Sequence, residues 1–278
     1  MRVRLPVLMA ASFTLAACGG GGPPSPAGLG YSLPDPATAT YVTGDTVNVD
    51  IDAGGQSMQQ RVTVSTTYGA TFTRAADGIQ VALEVQDLKG RVTQPMGGPI
   101  TLDDSGIDGP LVFTLDRRGV VSLVSAPTLS EQAALYFTPL STASSFFPRL
   151  PGTAVNVGDS WTDTIRVEGS EGVGEVSASS ILTYTVEGDT MVDGRSLVKI
   201  TYTGTQQSSS SGLIQGMDFN QEVSGTTEGH VLWDMGAGLM VERFADSQGR
   251  GSMEVSVAPM PLGLRVRSQS IVKLAGGM

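Results

Sequence analysis

Ile79-Gln80-Val81-Ala82-Leu83-Glu84-Val85-Gln86 places Ile79, Val81, Leu83 and Val85 on one phase and Gln80, Ala82, Glu84 and Gln86 on the other. A period of two sends successive side chains to opposite faces of an extended chain, so this stretch predicts a strand with one buried and one wet face. Working outward, the same pattern returns. Val47, Val49 and Ile51 alternate with Asn48, Asp50 and Asp52; Val62, Val64 and Tyr68 stand against Arg61, Thr63 and Ser65; Val198, Ile200 and Tyr202 against Lys199, Thr201 and Thr203. Each run is too short for a helix. Turn signals separate them: Asp77-Gly78, Asp108-Gly109, Asp193-Gly194 and Gly236-Ala237-Gly238, where glycine admits the positive φ of a tight connection. Ser208 to Ser211, inside Gln206-Gln207-Ser208-Ser209-Ser210-Ser211-Gly212, reads as a flexible hairpin loop. Many short strands without intervening helices predict a mainly β fold, an antiparallel sheet formed into a sandwich or barrel.

Landmarks recur in the same order in two halves, about 39–126 and 151–278. Val42-Thr43-Gly44-Asp45-Thr46 is matched by Val157-Gly158-Asp159-Ser160, each taken to open a strand, and Ala76-Asp77-Gly78 by Val192-Asp193-Gly194. Asp108-Gly109 through Phe113 to Gly119 parallels Glu228-Gly229 through Trp233 to Gly238. Slowly drifting offsets point to an internal duplication with insertions in loops. Between the halves Thr128-Leu129-Ser130-Glu131 fits a capping box, and Leu129, Ala133, Tyr136, Leu140, Ala143 and Phe147 form one helical stripe. A helical bridge over 128–147, kinked at Pro139, is therefore expected to cover an open end or face of the curved sheet.

The amino terminus carries a different message. Arg2 and Arg4 precede the apolar run Leu5 to Leu15, which is too short to span a bilayer and ends in small residues, as an export signal does. Leu15-Ala16-Ala17-Cys18 resembles the lipobox of bacterial lipoproteins. The resemblance implies cleavage after residue 17, a diacylglyceryl thioether on Cys18 and acylation of the new amino terminus. Cys18 is the one cysteine of the chain, and lipidation would consume a thiol that an oxidising compartment rarely leaves free. Residues 18–38, opening with Gly19-Gly20-Gly21-Gly22-Pro23-Pro24, read as a Gly/Pro-rich tether to a single domain over 39–278. Gly19 follows the cysteine, and by the same resemblance a residue other than Asp there favours the outer membrane. Attachment would come from the acyl chains, since two or more hold a protein on a bilayer where one does not.

Charge excludes several classes. Lys plus Arg total 17 against 27 acids, and loss of residues 1–17 removes Arg2 and Arg4 and no acid. So acidic a surface disfavours nucleic acid as a partner. Catalysis lacks residues: His230 is the sole histidine, read as lying at a strand start beside a turn, and no Gly-x-Ser-x-Gly elbow presents a serine. One histidine and one committed cysteine cannot build a zinc site. Asp103-Asp104-Ser105-Gly106-Ile107-Asp108-Gly109 gathers three carboxylates without the spacing of a calcium loop, so it reads as a solvated turn. Trp161 and Trp233 fall on apolar phases and are assigned to the core. The 11 methionines are scattered through the sequence. No cofactor, metal or catalytic residue is expected.

The lipobox together with a duplicated β domain, whose second half begins at Pro151 and carries Gly158-Asp159-Ser160-Trp161, resembles a class of bacterial envelope lipoproteins with no assigned reaction. In them Gly-Asp-(Ser or Thr)-Trp opens a strand. That resemblance implies a half-open barrel like those of periplasmic lipid-handling lipoproteins. The expected function is a non-enzymatic envelope domain, lipid-anchored through Cys18, that binds a ligand or a protein partner. Two alternatives stand beside it: a periplasmic carrier or chaperone of lipophilic molecules, and a carboxylate-dependent hydrolase.

Overall fold

The computed structural model describes residues 28–94, 98–171, 174–214, 216–256 and 260–275. The leader, Cys18 and the tether as far as residue 27 lie outside the described residues. The chain runs through three long strands, β1 (Thr38–Ala53), β2 (Gln56–Ala75) and β3 (Gly78–Thr93). Short strands follow: β4 (Ile100–Asp103), β5 (Ile107–Asp108), β6 (Leu111–Leu115), β7 (Val121–Ser125) and β8 (Thr128–Leu129). After one helix, α1 (Pro139–Phe146), come β9 (Ser160–Glu171), β10 (Gly174–Val192), β11 (Arg195–Ile214), β12 (Met217–Asp234), β13 (Leu239–Val255) and β14 (Leu262–Leu274).

These strands form one antiparallel sheet in the order β7-β6-β3-β2-β1-β14-β13-β12-β11-β10-β9, with β4 added on β3, and the sheet curls into a half-barrel. The first and last long strands meet at its centre. Tyr41 pairs with Leu274 and Asp52 with Gly263, so β1 and β14 weld what would otherwise be two meanders. Hairpin chemistry follows the sequence closely. Val192 pairs with Arg195, leaving Asp193-Gly194 as a two-residue turn with φ of 51 and 79, the left-handed pair that matches strand twist. At the β12–β13 turn the Asp234 carboxylate accepts the Gly236 and Ala237 amides at 2.9 Å. Asp116 does the same for Arg118 and Val120 at the β6–β7 turn, at 2.8 and 2.7 Å.

At one end the inner face is filled by the protein's own side chains. Tyr31, Tyr41, Tyr68, Phe72, Phe113, Phe146, Phe147, Tyr184 and Trp233 are all buried. Their rings meet edge to face: Tyr31 with Trp233 at 5.1 Å, Tyr41 and Tyr68 with Phe146 at 5.5 and 5.4 Å, Phe146 with Phe147 at 4.9 Å. Each ring pair adds about 0.5–1.5 kcal/mol to the burial of its area. Trp161 stacks on Tyr184 at 5.2 Å, so both tryptophans join this plug, as their apolar phase predicts.

The same end is closed across the gap between the sheet's two edges. α1 packs on edge strand β9 and also on β6 and β7 at the opposite edge. Arg118, in the β6–β7 turn, reaches Asp163 of β9 at 2.6 Å. Four backbone hydrogen bonds lace the connecting segments together, Leu29 to Thr153, Tyr31 to Arg117, Leu150 to Arg118 and Gly152 to Leu29.

Four local expectations fail for identifiable reasons. The helix does not run from 128 to 147: Thr128–Leu129 pairs instead with Ile107–Asp108, Ala133–Leu135 is a single 3-10 turn, and the helix proper begins at Pro139. Proline there is an initiator rather than a kink, because the first helical turn has no use for its missing amide. The capping box is not formed, and the Ser130 hydroxyl accepts the Ala133 amide at 3.2 Å. Ser208–Ser211 is no loop but part of the C-terminal third of β11, paired on both sides, Ser208 with Ala178 and with Val223. Neighbouring strands satisfy that backbone whatever its weak propensity. Gly44-Asp45 lies inside β1, whereas Gly158-Asp159 forms a turn before β9, so only the second opens a strand.

Candidate functional site

Beyond the plug the strands continue, and the inner face changes character. On it stand Val47, Val49 and Ile51 of β1, Met58, Val62 and Val64 of β2, Phe219 and Val223 of β12, Met253 and Val255 of β13, and Leu264 and Val266 of β14. All except Leu264 are only half-buried, shielded by one another and by the curl of the sheet. Among the described residues no element packs across them; α1 contacts strands near the closed end. The register also gathers what the sequence scatters: Met58, Met217 and Met253 fall on this face near the strand tips, and the Met260 sulfur lies beside Gly54.

Small residues line the floor of this open half. β13 contributes Ala245, Ser247, Gly249 and Gly251; β12 contributes Gly225 and Thr227; β11 contributes Gly204. The strands approach so closely here that a Cβ on Gly251 would fall inside the Glu222 carbonyl oxygen, and one on Gly225 inside that of Gln248. Only glycine fits, and the result is a shallow trough between the valines of β1 and β14 and the Leu182 side of β10.

Two charges break the apolar phase. Asp45 shares the inner face with Val47, and Arg243 sits between Val231 and Val272. Burial raises the Asp45 carboxyl above its ordinary range, with the Ser270 hydroxyl and the Arg243 charge pulling the other way. Arg243 lies near the tyrosines of the plug, and its charge favours ionisation of Tyr31, Tyr184 and Tyr202 against the stronger effect of their burial. Its Nε is fully buried without a hydrogen-bond partner, and no carboxylate of the described residues stands within 4.0 Å of it. The other cation of this interior, buried Arg149, donates to the Gly119 carbonyl.

His230 is placed differently from its sequence reading. It lies within β12 on the outer face, Nε2 2.9 Å from Glu242 Oε1, with Lys273 Nζ 3.0 Å from the other carboxylate oxygen. Burial pushes Glu242 up, but His230 and Lys273 together hold it below its usual value. This is a surface ion cluster beside Phe244, whose ring centre is 5.7 Å from the imidazole. The acidic turn also closes on itself: Asp103 accepts the Ser105 amide and hydroxyl, and those hydrogen bonds lower its pKa. Among the described residues no three acidic, histidine or cysteine side chains converge as metal ligands. No helix among them is long and apolar enough to cross a membrane.

Sequence reading passes over Arg243 and Asp45. The signal is present: each is a charge on an otherwise apolar or small phase, Asp45 ahead of Val47-x-Val49-x-Ile51 and Arg243 ahead of Ala245-x-Ser247-x-Gly249-x-Gly251. What hides Arg243 is the bulge between Leu232 and Trp233, which leaves Val241 unpaired and makes the phase hard to assign from sequence alone.

Comparison with known proteins gives no family model that matches and no curated protein that matches. Solved structures aligned with the chain include Pseudomonas aeruginosa OccK2 (OpdF), with 8% identity, a TM-score of 0.27, and coverage of 89% of this chain and 100% of that one. The β domain of the Bordetella autotransporter BrkA aligns with 10% identity and a TM-score of 0.23 over 85% of this chain and 99% of that one. A putative AttH from Nitrosomonas europaea aligns with 8% identity and a TM-score of 0.22 over 82% of this chain and 92% of that one.

Proposed function

We propose that this chain is a lipid-anchored protein of the bacterial cell envelope, held through Cys18, whose β domain acts without catalysis by binding a ligand on the inner face of its open half. The observation that carries the reading is the change along one face of one sheet. At the closed end the interior is packed with the protein's own rings; past Arg243 the same face bears half-buried valines and methionines, with glutamines and serines such as Gln60, Gln206, Gln221 and Ser268 among them, and no covering element among the described residues. Apolar surface of this kind is normally buried by a partner. The half-barrel shape favours a lipophilic small molecule over a flat protein surface, so carriage of such molecules is the form of binding the geometry supports best.

The outer membrane is the favoured site, on the strength of Gly19. The described chain starts at the closed end, where Leu29 and Tyr31 are bonded, so the anchor would hold that end toward the bilayer and turn the open half away. Native mass spectrometry of the full-length protein, gently released from membranes, tests the binding reading. Co-purifying lipophilic species beyond the covalent acyl chains are expected; a bare lipidated chain that also takes up no added lipophile would overturn it. Anchoring is tested separately: labelled palmitate should enter the wild type and not Cys18→Ser, and equal labelling of both would remove the anchor.

A further inference from the structure

The buried Nε of Arg243 has no hydrogen-bond partner and no carboxylate of the described residues lies within ion-pair distance of the guanidinium, and its position suggests what the partner is. In the open half, from Thr43, Val64 and Arg243 outward, the inner positions of β1, β2 and β11 to β14 carry two charged side chains, Asp45 and Arg243. Every other charge of these strand segments, such as Asp50, Arg61, Glu222, Arg250, Arg265 and Arg267, falls on the outer phase. A guanidinium taken into an apolar interior costs free energy unless hydrogen-bonded acceptors surround it. Asp45 has the Ser270 hydroxyl beside it, whereas the buried Nε of Arg243 has nothing. Asp45 is beyond ion-pair distance, and of the tyrosines that feel the Arg243 charge Tyr31 donates its hydroxyl to the Pro148 carbonyl at 2.7 Å and Tyr202 to that of Phe244 at 2.8 Å.

We infer that Arg243 receives the carboxylate of a long-chain fatty acid whose hydrocarbon tail lies along the trough of Ser247, Gly249 and Gly251 toward the methionine-lined tips. This deepens the binding reading above and rests on it. A guanidinium presents two parallel donors to a planar carboxylate, and a charge-assisted pair of that geometry is among the stronger hydrogen-bonded contacts available. The tail has matching room. Strands rise roughly 3.3 Å per residue, so the path from Arg243 to Met253 is on the order of 30 Å, enough for a sixteen-carbon chain with the tips to spare. The floor of Gly225 on β12 and Ser247, Gly249 and Gly251 on β13 is flanked by Gln206 and Ser208 of β11, and with strands roughly 4.8 Å apart its width suits one acyl chain. Valines on the β1 and β14 side supply apolar walls, and the methionines adapt to chains of different length.

The test uses the full-length lipidated protein in phosphatidylcholine vesicles and two photoactivatable sixteen-carbon probes, a fatty acid and the corresponding alcohol, with adducts mapped by peptide mass spectrometry. Wild type should yield inner-face adducts on β1, β13 and β14, with the acid favoured over the alcohol by roughly tenfold, the scale of one charged hydrogen-bonded contact. Arg243→Gln should bring the acid down to the alcohol's level, and Arg243→Lys should keep part of the preference. Equal inner-face labelling of wild type by both probes would overturn the role of Arg243 while leaving the binding face standing. Inner-face adducts from neither probe would overturn the binding reading and this inference with it. Should Arg243→Gln lose its near-ultraviolet circular dichroism, the acid-to-alcohol ratio of wild type decides alone.

Discussion

The two ends of the inner face are built from the same strands and differ in what completes them. At the closed end β12 presents Val231 and Trp233, β1 presents Tyr41, and α1 with Phe147 arrives to bury them. At the open end β12 presents Phe219 and Val223, β1 presents Val47 to Ile51, and nothing among the described residues arrives. The strands alternate in the same way along their length but carry rings at one end and valines, methionines and glycines at the other, and the connections differ too: the segment between β7 and β9 is folded back over one end only. A sheet that needs a second layer obtains it from its own chain at one end and, under the binding proposal, from a ligand at the other.

Substitutions can break this contrast, and the largest effect is expected in the plug. Phe147→Ala would leave a cavity among Tyr31, Tyr41 and Phe146 and should cost about 3–5 kcal/mol in chemical denaturation. A cost near zero would mean the closed end is not the stabilising half. Gly251→Val attacks the open half where β12 and β13 touch, and the forced displacement should cost about 1–3 kcal/mol. Hydrogen exchange should rise first in β12 and β13; a rise confined to the closed end would refute the close approach. Val49→Ala, at a half-buried position, should cost about 1 kcal/mol or less yet weaken uptake of a lipophile, separating stability from binding. A loss of stability as large as that of Phe147→Ala would show that Val49 is already covered in the free protein.

Smaller effects concern charge. Arg118→Ala removes the latch between the two edges, and because Arg118 is half exposed the loss should be about 0.2–1 kcal/mol and shrink with added salt. An effect insensitive to salt would point to packing instead. Asp45 gives a pH signature of known sign. Its folded pKa lies above the unfolded value because burial disfavours the carboxylate, so its ionisation destabilises the fold as pH rises through the folded pKa. Asp45→Asn should therefore be more stable than wild type near neutrality, with the advantage shrinking as pH falls through the raised folded pKa and absent below about 4, the unfolded carboxyl range. A variant less stable at neutral pH would show that the charged form makes a contact worth more than its desolvation.

Much of the sheet is legible because period-two alternation and turn residues are local signals. Ile79 to Val85 and Asp193-Gly194 state their own structure. The extent of the helix is not legible, because Leu129 and Tyr136 fit a helical stripe equally well whether or not β5 is present to claim Thr128–Leu129, and that pairing spans more than twenty residues. Ser208–Ser211 misleads because four serines have weak local preference, and the two neighbouring strands that fix them are set by register elsewhere. Of the site, the apolar phase is visible, but its lack of cover is not, since that depends on where the β7–β9 connection lands. Asp45 and Arg243 are visible as charges out of phase, which makes a lone charge within an alternating run a signal to pursue in other β proteins.

Whether the open half of the inner face is empty of the protein's own structure and filled by a lipophilic ligand is tested most directly by thiol reactivity. Lipidation would consume Cys18, the one native cysteine, so Val49→Cys and Ile200→Cys each place a single free thiol on the inner face, in the open and closed halves respectively. The Val49→Cys thiol should react readily with a maleimide in the ligand-free protein and be slowed by a long-chain fatty acid, while the Ile200→Cys thiol stays unreactive throughout. A thiol in Val49→Cys as inert as that in Ile200→Cys without ligand, or one whose rate is unchanged by any lipophile, would contradict a ligand-filled open half.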